Sequence, residues 1–204
     1  LAKAAGFERL DDFLLDRLER YASALVEANQ KINLISRSVN LPLEIEQQIA
    51  ISLLPVSLVP SRIRNWIDVG SGGGFPVIPL ACAFESIPFT AVEQIAKKAY
   101  FVERTAQELG LKNVKVVASS IENVIVSDPD TRWDLMSIKA VTDIPESLIW
   151  AGKLLNRGGM IVTYKPRGEE IEGVEKYGFE LVNSLDVKEL IDTIDVRIVM
   201  YKKS

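Results

Sequence analysis

Gly70, Gly72, Gly73 and Gly74 follow directly on a short apolar run, Trp66-Ile67-Asp68-Val69. That run has the make-up of a buried parallel strand. Beyond the turn, Phe75 to Ala83 is compatible with a helix, and Pro76 suits a first helical turn, where a missing N–H costs nothing. Glycines let the backbone turn tightly and let a ligand lie against it with no Cβ in the way. Strand, glycine turn and helix in succession are how a doubly wound α/β fold holds a nucleotide-like ligand. The plain alternative is a glycine-rich connection with no ligand, and the acid near the strand's end speaks against it.

Two glycine fingerprints separate here. A dinucleotide site uses G-x-G-x-x-G to face a pyrophosphate, but Phe75 stands where the third glycine belongs, and counting from Gly72 puts Val77 there. What remains is Asp68-x-Gly70-x-Gly72-x-Gly74, the form used by S-adenosylmethionine-dependent methyltransferases. Their cofactor carries a sulfonium centre, beside which an acid is favourable; beside a pyrophosphate the same acid is repulsive. Asp68, Gly70 and Gly72 are therefore expected cofactor contacts.

A chain of 204 residues that is 48% hydrophobic can build a sizeable core. The expected division is a helical extension over 1–62 packed on a methyltransferase domain over 63–204, the two forming one structural unit. No apolar run reaches the roughly 18–20 residues of a membrane span. Asp11, Asp12, Asp16 and Glu19 break any signal-peptide layout. The single cysteine, Cys82, fits a reducing cytoplasm. With no histidine, histidine metal sites and Ser-His-Asp chemistry are excluded, and no metal is expected. A net charge of −4 leaves any RNA contact to a local basic face.

The spacing of Phe7, Leu10, Phe13, Leu14, Leu18, Tyr21, Leu25 and Val26 predicts a helix over 7–28, and a second is expected from about Pro42 to Leu58, cut at Pro55 and Pro60. These form an amino-terminal cap, which either only packs or also covers the cofactor. Phe89–Glu93 reads as a second strand, whose closing acid can accept from both ribose hydroxyls. A helix over Ile95–Leu109 is stopped by Gly110. Strands are expected at 113–118, 133–138 and 160–164, with a short helix capped by serine after Ser119-Ser120. A helix over Asp143–Leu155 should end at Asn156-Arg157-Gly158-Gly159. A helix near 169–177 and strands near 178–186 and 193–202 complete a seven-stranded Rossmann-like sheet. Lys97 and Lys98 read as solvated, while Lys139, Lys165 and Arg167 could form a basic rim for phosphates.

With these residues in view the chain resembles the bacterial ribosomal RNA small-subunit methyltransferase G family, also called glucose-inhibited division protein B. The resemblance rests on Asn33-Leu34, on Asp68-Val69-Gly70-Ser71-Gly72-Gly73-Gly74-Phe75-Pro76 with Ile78-Pro79-Leu80-Ala81, and on Lys97-Lys98. Leu109 to Val114, and Leu154-Leu155 with Gly158-Gly159, also match. It implies a class I S-adenosylmethionine-dependent fold and methylation of N7 of a guanine in 16S ribosomal RNA, either free or in the small-subunit particle. Cofactor contacts follow at Gly70, Phe75, Ile121, Glu122 and Lys139, with Lys139 also a positioning residue for catalysis. A cytoplasmic monomer serving ribosomal RNA processing is the matching expectation.

Three positions depart from the family pattern. A His-x-x-Asp-Ser element is replaced by Gln48-Ile49-Ala50-Ile51-Ser52, the ribose-binding acid is Glu93 in place of the commoner aspartate, and Lys139 stands for an arginine. Lysine keeps the charge and loses the guanidinium fork. From the residues alone, a small-molecule methyltransferase, an NAD-dependent oxidoreductase and a cofactor-binding protein without catalysis remain open.

Overall fold

The computed structural model describes residues 11–35, 41–166, 173–190 and 194–204. The first helix, α1 (Asp12–Asn29), is started by the Asp11 carboxylate, which accepts the Leu14 amide at 2.6 Å. Leu14, Leu18, Tyr21 and Leu25 fall on one face and are buried; Phe13 faces solvent, with the Arg17 guanidinium 4.0 Å from its ring centre. Phe7 and Leu10 lie outside the described residues. The side chain of Asn29 turns the chain by accepting the amides of Leu34 and Ile35. Helix α2 (Leu41–Leu53) tightens into a 3-10 turn, Leu54–Leu58, where Pro55 lacks the N–H a regular helix needs.

Seven strands follow: β1 (Trp66–Val69), β2 (Phe89–Val92), β3 (Val114–Val117), β4 (Trp133–Lys139), β5 (Leu155–Pro166), β6 (Phe179–Asp186) and β7 (Val196–Lys203). They join in the order β3-β2-β1-β4-β5-β7-β6. The first five are mutually parallel, and β7 runs antiparallel between β5 and β6. Helices α3 (Val77–Ala83), α4 (Ala96–Glu108), α5 (Ile121–Ser127) and α6 (Ile144–Leu154) make the crossovers. This is the expected Rossmann-like α/β sheet.

Strand alternation separates two cores. Trp66, Phe89, Ala91, Leu135, Met160 and Val162 face α1 to α4, whereas Ile67, Val69, Val92, Met136 and Ile161 face α5 and α6. The cap belongs to the first of these cores, which continues unbroken from α1 and α2 into the sheet.

Two expectations near the carboxyl end need correction. Asn156–Gly159 does not simply terminate a helix: β5 begins at Leu155, and the β4–β5 register moves from Trp133↔Leu155 to Leu135↔Met160, so these residues bulge out of the sheet. Gly158 supplies a φ of +74° there. Val174–Tyr177 is a 3-10 turn between two left-handed glycines, and the rest of the helix expected near 169–177 lies outside the described residues, as does Arg167.

Candidate functional site

The parallel strands bring the tips of β1, β2 and β4 together on one edge, above which lies a cavity of about 590 Å³. Clefts of this size accommodate small molecules. Its floor is the glycine turn, its walls come from Val92–Ile95, Ser119–Glu122 and Lys139–Thr142, and Trp150 closes one side.

The turn is shaped by hydrogen bonds from both flanks. The amides of Gly70 and Ser71 donate to the Val92 carbonyl at 2.8 and 3.1 Å, fixing the loop to β2. Gly70 has a φ of +73°, and a Cβ there would sit 2.3 Å from Val141 Cγ2, so side chains are excluded twice over. At Gly72, φ +54°, a Cβ would meet nothing nearer than the Gly70 carbonyl oxygen at 3.8 Å. A side chain on Gly72 would thus enter open space in the cavity.

Glu93, just past β2, is only 5% exposed and faces the same cavity. Its Oε2 accepts the Gly72 amide and its Oε1 the Ile95 amide, each at 2.8 Å. A carboxylate offers about four acceptor positions, so capacity remains for two hydroxyl donors. Ser120 caps α5 by accepting the Asn123 amide, and that turn carries Ile121 and Glu122 into the wall.

Asp68 lies behind the loop and does not line the cavity. It is fully buried, and its oxygens accept the hydroxyls of Ser137 and Ser71 at 2.5 and 2.7 Å, while Trp66 Nε1 donates to Ser137 Oγ at 3.0 Å. Its direct partners are therefore the loop and β4. Burial pushes its carboxyl up to about 7, against the pull of the two serines and Lys139. Because the unfolded value is near 3.8, the folded protein retains a proton between about pH 4 and 7 that the unfolded chain releases. Stability therefore declines as pH rises through that window. Asp68→Asn is expected to flatten that decline, so that the difference in Tm between pH 4.5 and 7 (about the limits of that window) shrinks by several degrees in calorimetry.

The cap reaches into this region through Leu34 and Ile35, which line the cavity, and through two hydrogen bonds. Tyr21, fully buried, donates its hydroxyl to the Gly73 carbonyl at 2.8 Å and meets the Phe75 ring edge-on at 5.4 Å. Gln48 of α2 accepts from Lys139 Nζ, which stands 5.3 Å from the centre of the Phe75 ring. Burial pulls the Lys139 ammonium down to about 8, with Asp68 opposing. The cap thus touches the loop as well as packing. Sequence reading missed Tyr21 and Gln48 in this capacity: Tyr21 has the spacing of any core residue, and Gln48 is distant in the chain from Lys139. Thr142, Glu146 and Trp150 were missed for the same reason.

The expected phosphate rim does not form as drawn. Lys165 is buried, and its ammonium donates to the Thr142 carbonyl. Lys98 lines the cavity mouth, whereas Lys97 borders a separate groove between α1 and α4. Cys82 is buried, and burial pushes its thiol up to about 12, which suits a packing role.

A family model described as rRNA small subunit methyltransferase G matches residues 14–196. Ribosomal RNA small subunit methyltransferase G of Syntrophus aciditrophicus is 31% identical over 186 residues, covering 87% of this chain and 77% of that protein. Its counterpart from Wolinella succinogenes is 34% identical over 163 residues, covering 80% of each. Among solved structures, ribosomal protein L11 methylase from Lactobacillus delbrueckii subsp. bulgaricus aligns at a TM-score of 0.59 over 78% of this chain and 79% of that one. At 15% identity that likeness concerns the fold.

Proposed function

Because the chain belongs to the rRNA small subunit methyltransferase G family, we propose that the cavity over the glycine turn is where it carries out the reaction of that family. The protein is an S-adenosylmethionine-dependent methyltransferase acting on N7 of a guanine in 16S ribosomal RNA. The observation that carries the assignment of the site is Glu93: a carboxylate pinned by two amides at a strand tip, facing a cavity floored by Gly72.

In this reading Glu93 takes the ribose hydroxyls, Ile121 and Glu122 flank the adenine, and the Gly70–Gly72 backbone receives the amino acid end. Phe75 and Lys139 define the side from which the base enters. S-adenosylmethionine supplies a methyl group already activated on a positively charged sulfur. Guanine N7 carries its own lone pair, so the protein needs no general base, in keeping with a chain free of histidine. Its task is to align the two reactants.

Lys139 acts as a positioning residue: its hydrogen bond to Gln48 and its place over Phe75 tie β4 to α2 and the loop. The target base must be presented unstacked, and the small-subunit particle is the form we assign. Among the described residues no helix is long and apolar enough to cross a membrane; we assign the protein to the cytoplasm, as a monomer.

Mapping N7-methylguanine in ribosomal RNA after incubation with enzyme and cofactor tests this reading, and one modified guanine in 16S RNA is the expected result. In the same assay Lys139→Ala should lower kcat by about 10- to 100-fold with a Tm close to the parent's. A parent enzyme that binds cofactor but leaves the RNA unmodified would refute the substrate; a Lys139→Ala protein with normal specific activity would make Lys139 merely structural.

A further inference from the structure

At the edge of the sheet opposite the cofactor cavity a second cleft, of about 670 Å³, opens where the chain enters β1 and β4. Arg62, Arg64, Arg157 and Lys202 line it, together with Asp134 as the only acid, Asn156 and the backbone of Gly158 and Gly159. This cationic cluster belongs to a chain with 28 acidic and 24 basic side chains, so it runs against the overall balance.

The acid is already engaged. Asp134 Oδ2 accepts the Arg64 amide at 3.0 Å and Arg64 Nε at 3.3 Å, while its Oδ1 accepts Asn156 Nδ2 at 2.8 Å. Those partners hold its carboxyl below the usual range, against the effect of burial. Lys202 pairs with Glu180 at 3.1 Å. Arg62 and Arg157 are exposed and have no ion pair among the described residues.

Arg157 is placed there by the bulge. The register change ejects Asn156–Gly159 from the ladder, and the loop is so tight that a Cβ on Gly159 would lie 2.9 Å from the Asn156 carbonyl oxygen. Bulges re-aim side chains in this manner. Here the result is an exposed guanidinium in the same cleft as Arg62, with no ion-pair partner among the described residues.

We propose that this cleft is a second phosphate-binding site, which grips the sugar-phosphate backbone of the RNA substrate away from the base being methylated. Arginine forks and flexible glycine backbone match phosphodiester oxygens. Five residue steps along β4, from Asp134 to Lys139, separate the cleft from the cavity, about 17 Å at strand rise. A phosphate held at the cleft therefore lies several nucleotides or more from the base at the cavity. This inference rests on ribosomal RNA being the substrate.

The test is the double substitution Arg62→Gln with Arg157→Gln, with Lys115→Gln on the exposed edge of β3 as a comparison. Binding to small-subunit ribosomal particles is measured between about 50 and about 200 mM salt. The double variant should keep its Tm and its affinity for S-adenosylhomocysteine, and should bind RNA about tenfold more weakly at the lower salt. Its salt slope should be shallower by about 1 for each lost contact, with the comparison variant unchanged. Unaltered RNA affinity and slope in the double variant would overturn the site, and so would a loss that is equal at all salt concentrations, the mark of an uncharged or protein-facing surface. A parent that modifies no ribosomal RNA would instead overturn the substrate reading itself.

Discussion

Gly72→Val yields a folded protein whose affinity for S-adenosylhomocysteine is lower by at least about 100-fold, as a steric block of the floor requires. No neighbouring side chain stands in the way of a Cβ at this position, so folding tolerates it. The cost to stability is that of a β-branched residue at a φ of +54°, about 1–2 kcal/mol. In a domain of this size that is a loss of several degrees in Tm. The isopropyl group, however, points into the volume assigned to the ligand. Titration calorimetry separates the two effects, and undiminished affinity would remove the cavity from consideration as the cofactor site.

The second large effect is at Glu93. Glu93→Ala deletes the acceptor of two backbone amides and the carboxylate that faces the cavity. Each orphaned amide costs about 1–3 kcal/mol, so Tm should fall markedly and cofactor affinity by about 100-fold or more. Glu93→Gln separates these contributions. One side-chain oxygen remains to accept one of the two amides while the new NH2 faces the other, so only about half of the lost stability returns, and with the charge and half of the acceptor capacity gone affinity stays low. Full recovery of binding in Glu93→Gln would mean that the carboxylate organises the loop and does not touch ligand.

Much of this arrangement was legible in the chain itself. The strand preceding the glycines, the acid ending the next strand and the serine cap of α5 are all local patterns, set by side-chain alternation, φ-permissive residues and capping chemistry. Seven strands were legible from runs and turns of the same kind, while their order is seen only in the structure. Asp68 shows where such reading stops: spacing predicted a ligand contact, and the structure turns the carboxylate toward Ser71 and Ser137, the latter on a strand 65 or more residues away. Lys165 was expected just past the fifth strand on a basic rim, whereas it lies within β5 and its side chain folds inward to Thr142. The β5 bulge was hidden because Asn-Arg-Gly-Gly stops a helix as readily as it interrupts a ladder. In each case the deciding partner is remote in sequence, and periodicity carries no information about it.

The hydrogen bonds from Tyr21 to Gly73 and from Lys139 to Gln48 also constrain energetics across the molecule. With the methyl donor over this turn, as proposed above, its binding and the docking of the first two helices draw on the same contacts. Linkage of this type is reciprocal in free energy. The amino-terminal helices are therefore no dispensable appendage: shortening them should both weaken ligand retention and open the core they share with the sheet.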